Sequence, residues 1–552
     1  MQAKLNHLHA IISIVICFAL LTASIEALVF ARNDQASAAP IGRSFQAHRV
    51  EIDPGIRTIG SLETNQPSAA GTQGKPVQFN CQSGTDPQPV LCYGPYQIRA
   101  AYGVDALLAK QITGRGTSIT VLDAYGSPTI SADLKAFDRA WGFPDPQFHV
   151  FTPFGVGSAG TDSTWSAETS LDVEWAHALA PDAAINLVVA KTSNDTDLYD
   201  ALNYIVEHNL GDVVSLSFGE NENCIDAKLR QAEHDLLKKA ATQKMTFLVA
   251  TGDLGAAQLA CRSVSYEDAV AYPASDPLVT AVGGTQLTAN SVTGQYISET
   301  TWNESEGFNK AAGGGYSALY TAPAYQKGII GADKGRGAPD LAMNASVIGG
   351  VLVYEGDSST GRTAVNIMGG TSVSAPELAG IIADGVQMAH HRLGQINPAL
   401  YKLGTGPLYA QDMHDITSGN NALTTSGLSG YQAGTGWDPA TGWGSPKNAT
   451  DFLQALVQSD PVSAPSPTPI DAPTPTETLT VTPEPIGTPT VTPITTPVIA
   501  PTPTETPVVK PIPTDTPTVT PTSTSTPTSG AASNCGRSKT SHHAHKKQDH
   551  RH

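Results

Sequence analysis

Marking the apolar positions divides the chain into stretches of different character. Between about residues 93 and 459, short unbroken apolar runs alternate with segments whose apolar residues recur at spacings of three and four. Runs at 118–122, 185–190, 213–217, 246–250 and 278–282 are predicted strands of a parallel sheet covered on both faces, since such strands have no solvent side to fill with polar residues. Segments 167–179, 226–241 and 374–390 carry the helical spacing and are predicted to lie between strands. The alternation predicts an α/β domain over 93–459, with a mainly parallel central sheet flanked by helices. From 460 to 530 the pattern gives way to Thr-Pro and Pro-Thr units with almost no large apolar residue. Such a stretch cannot bury enough surface to offset the entropy of ordering, so a disordered stalk is expected there.

Composition and charge sharpen this division. Of the 40 prolines, 19 fall between 461 and 530, so the proline content reports the stalk and not the domain. Residues 461–552 hold 6 basic and 6 acidic side chains, so the formal net charge of −18 belongs to residues 1–460 and argues against a nucleic-acid partner. At the start, Lys4 precedes an apolar run over 11–23 and the small residues Ala36-Ser37-Ala38, the pattern of a secretory signal peptide over 1–38. No other run approaches the roughly 20 apolar residues of a spanning helix, so no membrane span is expected after signal removal. In an exported chain the cysteines are expected to pair as Cys81 with Cys92 and Cys224 with Cys261, with Cys17 leaving in the signal and Cys535 alone. Residues 39–92 form a short N-terminal segment with little periodicity, and 531–552 form a basic, His-rich tail. That tail reads as a solvated end, with an anionic surface or a metal as the other candidate ligand.

Three places carry candidate chemistry. A strand over 364–370 runs through Gly369-Gly370-Thr371 to Ser372 at a predicted helix N-terminus, where the helix dipole favours negative charge forming beside a serine oxygen. A capping turn without chemistry has the same appearance. No histidine of the domain stands in a glycine-flanked setting, but Glu168 and Asp172 lie four apart on one helical face. Two carboxyls so placed repel unless they share a proton, which leaves one poised as a base; the alternative is an exposed acidic face. Asp253 stands in Thr251-Gly252-Asp253-Leu254-Gly255, directly after a predicted buried strand, either as a turn residue or at the edge where α/β sheets place their sites.

With Gly369-Gly370-Thr371-Ser372-Val373-Ser374-Ala375-Pro376, Glu168 through Asp172, the Asp253 loop, Gly313-Gly314-Gly315-Tyr316-Ser317 and Arg336 through Asp340 in this order, the chain resembles the sedolisins, or serine-carboxyl peptidases, over roughly 93–459. The resemblance implies the subtilisin fold and a secreted, acid-acting endopeptidase that hydrolyses polypeptides. It assigns the nucleophile to Ser372, the general base and acid to Glu168, the orientation of Glu168 to Asp172 and the oxyanion hole to Asp253. Asp253 serves there only as a carboxylic acid, because a carboxylate would repel the oxyanion. Asp123, where many relatives carry glutamate, is given a supporting role, and Phe218 stands where many have tryptophan. The resemblance further implies one structural calcium ion held by Asp415 and Asp438 side chains and by backbone oxygens of Ile416, Gly434 and Gly436. Residues 39–92 are far shorter than a usual sedolisin propeptide, so they are expected to be a reduced propeptide or to leave control to acid alone. The competing reading is a catalytically inactive, surface-displayed binding protein on the same scaffold; a cell-envelope attachment role for stalk and tail is a third. A monomer is expected, because every candidate residue lies in one chain.

Overall fold

The computed structural model describes residues 55–58, 79–83, 92–157, 162–357 and 362–459. The expected signal peptide, stalk and tail, with Cys17 and Cys535, lie outside the described residues.

The predicted apolar runs form the middle of an eight-stranded sheet. Its strands are β1 (Ser118–Ala124), β2 (Phe148–Phe151), β3 (Ala184–Ala190), β4 (Val213–Leu216), β5 (Thr246–Ala250), β6 (Thr280–Ala289), β7 (Tyr296–Thr301) and β8 (Leu341–Asn344). Their spatial order is β7-β6-β5-β4-β1-β3-β2, with β8 also paired to β6. All pairings are parallel except β6 with β7. Two differences from the sequence reading have local causes. β6 begins two residues later than predicted, because Asp276 accepts a hydrogen bond from Leu278 N at 2.8 Å and holds a turn there. β2 was not predicted, since its Phe-His-Val-Phe run is an edge strand without full burial.

Helices cover both faces. The principal ones are α1 (Ile130–Trp141), α2 (Ser163–Leu179), α3 (Asp195–Glu207), α4 (Ala227–Thr242), α5 (Thr371–Ala389) and α6 (Ala449–Ser459). Ile119 and Val121 of β1 face a core shared with α2, α5 and α6, while Leu122 and Ala124 face one shared with α3 and α4. This follows from the two-residue period of a strand. Side-chain caps fix two helix starts: Asp162 accepts from Trp165 N at 3.2 Å, and Asp226 accepts from Lys228 N at 2.8 Å and Leu229 N at 3.2 Å. Helices α2 and α5 pack against each other and are buried on nearly every side, from Trp165 to Leu179 and from Thr371 to Val386. An exposed acidic face on α2 is thereby ruled out.

Beside this sheet, an antiparallel hairpin of β9 (Gly350–Asp357) and β10 (Arg362–Gly369) leads straight into α5. Gly55–Thr58 pairs antiparallel with β10, and Cys92–Tyr93 pairs parallel with β9, so pieces of the N-terminal stretch border both edges of the hairpin. Both expected disulfides are present, Cys81–Cys92 and Cys224–Cys261.

Candidate active site

Three neighbouring strands, β5, β4 and β1, deliver polar residues to one edge of the sheet. Asp123 is the last residue but one of β1, Ser217 follows β4 directly, and Asp253 lies three residues beyond β5. In a parallel sheet, carboxyl ends line up on one side and their loops converge. Helix α2 brings Glu168 and Asp172 to this edge, and Ser372 enters as the second residue of α5. Gly370, the N-cap of α5, has φ of 117°, and a Cβ there would stand 2.8 Å from Asp253 Oδ2. The absence of a side chain lets the Asp253 carboxyl lie against the turn that carries Ser372. Pro376 contributes no N–H, so the carbonyl of Ser372 lacks its usual helical donor.

Hydrogen bonds tie these groups together. Asp253 Oδ1 accepts from Thr371 N at 2.9 Å and Thr371 Oγ1 at 3.0 Å, while Gly252 N donates to Thr371 Oγ1 at 3.0 Å. Ser217 joins Asp172 to Ser372: its Oγ donates to Asp172 Oδ1 at 2.9 Å, and its carbonyl accepts from Ser372 Oγ at 3.4 Å. Ser372 also faces Glu168, whose two oxygens hold no hydrogen bond of full geometry among the described residues. Such contacts are commonly long before substrate is bound.

Electrostatics follow from burial. Glu168, Asp172 and Asp123 are all 0% exposed. Desolvation, the largest cause, holds Glu168 well above the carboxylate range; the Ser372 hydroxyl opposes it, Asp123 and Asp253 reinforce it, and Lys310 opposes it. Burial likewise raises Asp172 well above its ordinary value, with the charges of Asp123 and Glu168 adding to the effect and Ser217 opposing it. Asp123 is pushed up to about 7 by burial, against a smaller opposing effect of Thr169. The cluster therefore retains protons through the weakly acidic range. A serine hydroxyl at a helix start, a proton-holding carboxyl pair and a carboxyl beside the serine's own turn make up a set of groups suited to acyl transfer.

The subtilase family model matches residues 155–398. Kumamolisin of Bacillus sp. (strain MN-32) is 31% identical over 379 residues, covering 66% of this chain and 64% of that protein. Sedolisin of Pseudomonas sp. (strain 101) is 33% identical over 363 residues, covering 63% and 59%. Human tripeptidyl-peptidase 1 is 30% identical over 447 residues, covering 74% of this chain and 71% of its own. The chain belongs to the sedolisin family. A solved structure of Pseudomonas sedolisin, a serine-carboxyl proteinase complexed with two molecules of pseudo-iodotyrostatin, superposes with a TM-score of 0.59 at 31% identity, covering 66% of this chain and 97% of that one. The sedolisins are serine-type peptidases with the subtilisin fold, as expected from the sequence. The chain spans less than two thirds of the length of either bacterial relative.

The remaining sedolisin motifs fall into place by packing. Gly313 N donates to Gly252 O at 2.7 Å, and a Cβ on Gly313 would stand 2.0 Å from Thr251 O, so the glycine run presses directly on the Asp253 loop. Arg336 and Asp340 are both fully buried and pair at 2.6 Å, while Asp340 also accepts from Ala281 N at 2.7 Å and Tyr401 Oη at 2.9 Å. That motif fastens the start of β8 to β6. Asp415 and Asp438 converge on one loop: Gly436 N donates to Asp415 Oδ1 at 3.0 Å, and Gly434 N donates to Asp438 Oδ2 at 3.0 Å. The two carboxylates offer oxygens of the kind a hard cation takes, although Asp415 also accepts from Tyr409 Oη and Asp438 from Ala440 N and Thr441 N. Among the described residues there is no group of three or more His, Cys, Asp or Glu side chains able to hold a metal.

Sequence reasoning gave no role to Ser217, Thr371 or Lys310. Thr371 stood inside the Gly-Gly-Thr-Ser motif and Ser217 closed the predicted strand run 213–217, and their small hydroxyls beside a helix start and a strand end were the available signal. Lys310 lies outside any motif, and only packing discloses it.

Proposed function

We propose that this protein is a secreted, acid-acting endopeptidase in which Ser372 attacks the peptide carbonyl. Glu168 takes the serine proton and later gives it to the leaving amine, and Asp172, held by Ser217, fixes Glu168 in position. Asp253, as a carboxylic acid, donates a hydrogen bond to the developing oxyanion; Asp123 supports the carboxyl pair from beneath. The observation that carries this reading is the common edge on which Ser372, the buried Glu168/Asp172 pair and the Thr371-bound Asp253 meet. Asp415, Asp438 and the carbonyls of Ile416, Gly434 and Gly436 would hold one calcium ion that stabilises the loop 434–438 by binding only the folded state. Two disulfides, and the lack among the described residues of any helix long and apolar enough to cross a membrane, support an exported protein. Removal of a signal peptide over 1–38 would complete export, and the stalk and tail would serve attachment to the cell envelope.

The test is cleavage of a peptide library and of casein between about pH 2.5 and 7.5, beside the Ser372→Ala variant. Cleavage confined to acid and lost in the variant is expected. Absence of cleavage at every pH in folded, calcium-supplied protein would instead favour the inactive binding scaffold, and a maximum above neutrality would overturn the role of Asp253.

A further inference from the structure

The hairpin that leads into Ser372 carries a third strand. Gly55–Thr58, from the N-terminal stretch, pairs antiparallel with β10 in the register Gly55 with Gly369, Ile56 with Met368, Arg57 with Ile367 and Thr58 with Asn366. β10 gives one edge to β9, so the added strand takes the other. It covers only the four residues of β10 nearest the serine, and Gly369 stands three residues before Ser372, at most about 11 Å along the chain. Asn366, Ile367 and Met368 have buried side chains, and a Cβ on Gly369 would stand 2.7 Å from Val347 N. This part of β10 therefore offers an occupant of its outer edge main-chain N–H and C=O groups and little else. Such an edge holds an extended chain with little regard to its sequence, as suits a polypeptide substrate.

Polarity decides which part of a substrate fits. Because the pairing is antiparallel, Gly55 lies nearest Ser372 and Thr58 farthest from it. In a chain bound the same way and attacked by Ser372, the residues along this edge follow the scissile bond and depart with the leaving amine. We infer that the outer edge of β10 at residues 366–369 is a main-chain docking edge for the leaving-group side of an extended polypeptide, and that Gly55–Thr58 is its tethered occupant, in competition with substrate. The Cys81–Cys92 bridge and the pairing of Cys92–Tyr93 with β9 fasten the same N-terminal stretch to the opposite edge of the hairpin, so a strand released from β10 stays on the molecule. This assignment rests on the serine-carboxyl reading of Ser372 and adds to it a subsite that responds to substrate length.

The test compares the full chain with Ile56→Pro, Arg57→Pro and a deletion of residues 55–58. Alternate residues of an antiparallel strand point their N–H groups at the partner, so one of the two prolines removes a bond to β10 and the other is a control. Two substrates share the sequence before the cleaved bond and carry either a single residue or about six residues after it, the longer one spanning 366–369. Loss of one main-chain hydrogen bond is expected to lower KM for the long substrate relative to the short one by about fivefold, and the deletion by at least as much. An unchanged ratio in the deletion and both proline variants would overturn the inference, as would an equal loss of kcat on both substrates, which would make the strand a scaffold only. A second arm needs no catalysis: in Ser372→Ala protein, a fluorescent peptide of residues 51–60 added in trans should bind at least about fivefold tighter once residues 55–58 are deleted, and equal binding would again overturn the docking edge. Absence of Ser372-dependent cleavage of either substrate would instead refute the peptidase reading, with the peptide arm still deciding whether the edge binds an extended chain.

Discussion

Substituting Glu233 by glutamine separates the fold's acid preference from its chemistry. Glu233 lies on α4, 8% exposed, facing Tyr272, Asp276 and Asp195. Asp276 in turn receives His234 Nδ1 at 2.6 Å. Burial first, and the Asp276 charge second, push Glu233 from 4.5 up to about 8. Below about pH 4.5 both folded and unfolded chains hold this proton, and the residue contributes no pH dependence. Between there and pH 8 the unfolded chain releases the proton while the folded chain keeps it, so stability falls by about 1.4 kcal/mol per pH unit. Over that gap of roughly 3.5 pH units the loss reaches about 5 kcal/mol, a large part of the ~5–15 kcal/mol that holds a domain folded. Glutamine keeps the shape and a polar group facing Tyr272 but has no carboxyl proton to hold. Urea unfolding of Ser372→Ala protein, which cannot digest itself, gives the assay. With and without Glu233→Gln, the unfolding free energies are expected to agree within about 1 kcal/mol at pH 4, and the glutamine form should be several kcal/mol more stable at pH 8. An equal difference at both pH values would refute the argument. Glu220, likewise pushed up to about 8 by burial and by Asp195, acts in the same direction.

At the catalytic centre, Glu168→Gln is expected to lower kcat by roughly 10²–10⁴-fold, and Asp253→Ala by roughly 10²–10³-fold, with melting temperatures showing that both variants remain folded. Calcium chelation should lower the melting temperature, and Asp415→Asn with Asp438→Asn should abolish that response; an unchanged melting temperature would remove calcium from the account. Replacing Cys224 and Cys261 by serine should cost about 4 kcal/mol and replacing Cys81 and Cys92 about 3 kcal/mol, because the bridges close loops of sequence separation 37 and 11; denaturant titration checks the order.

Much of the architecture is determined by the order of apolar and polar residues. Continuous runs such as 246–250 have no polar alternate face and must become strands buried on both sides, and the glycine-flanked Asp253 must then fall at a strand end. The spacing of Glu168 and Asp172 puts both on one helical face by helix geometry alone. Spacing could not say what that face meets. Only the tertiary structure buries α2 on nearly every side, turning an ordinary acidic pair into one that holds its protons, and only it ranges Asp123, Ser217 and Asp253 along three adjacent strand ends. The same holds for Arg336 with Asp340, which tie two strands together, and for Lys310, brought against the Asp253 loop by the backbone of Ala311. Periodicity reports neighbours within about four residues along the chain, whereas desolvation and electric field are sums over atoms from every element that packs nearby.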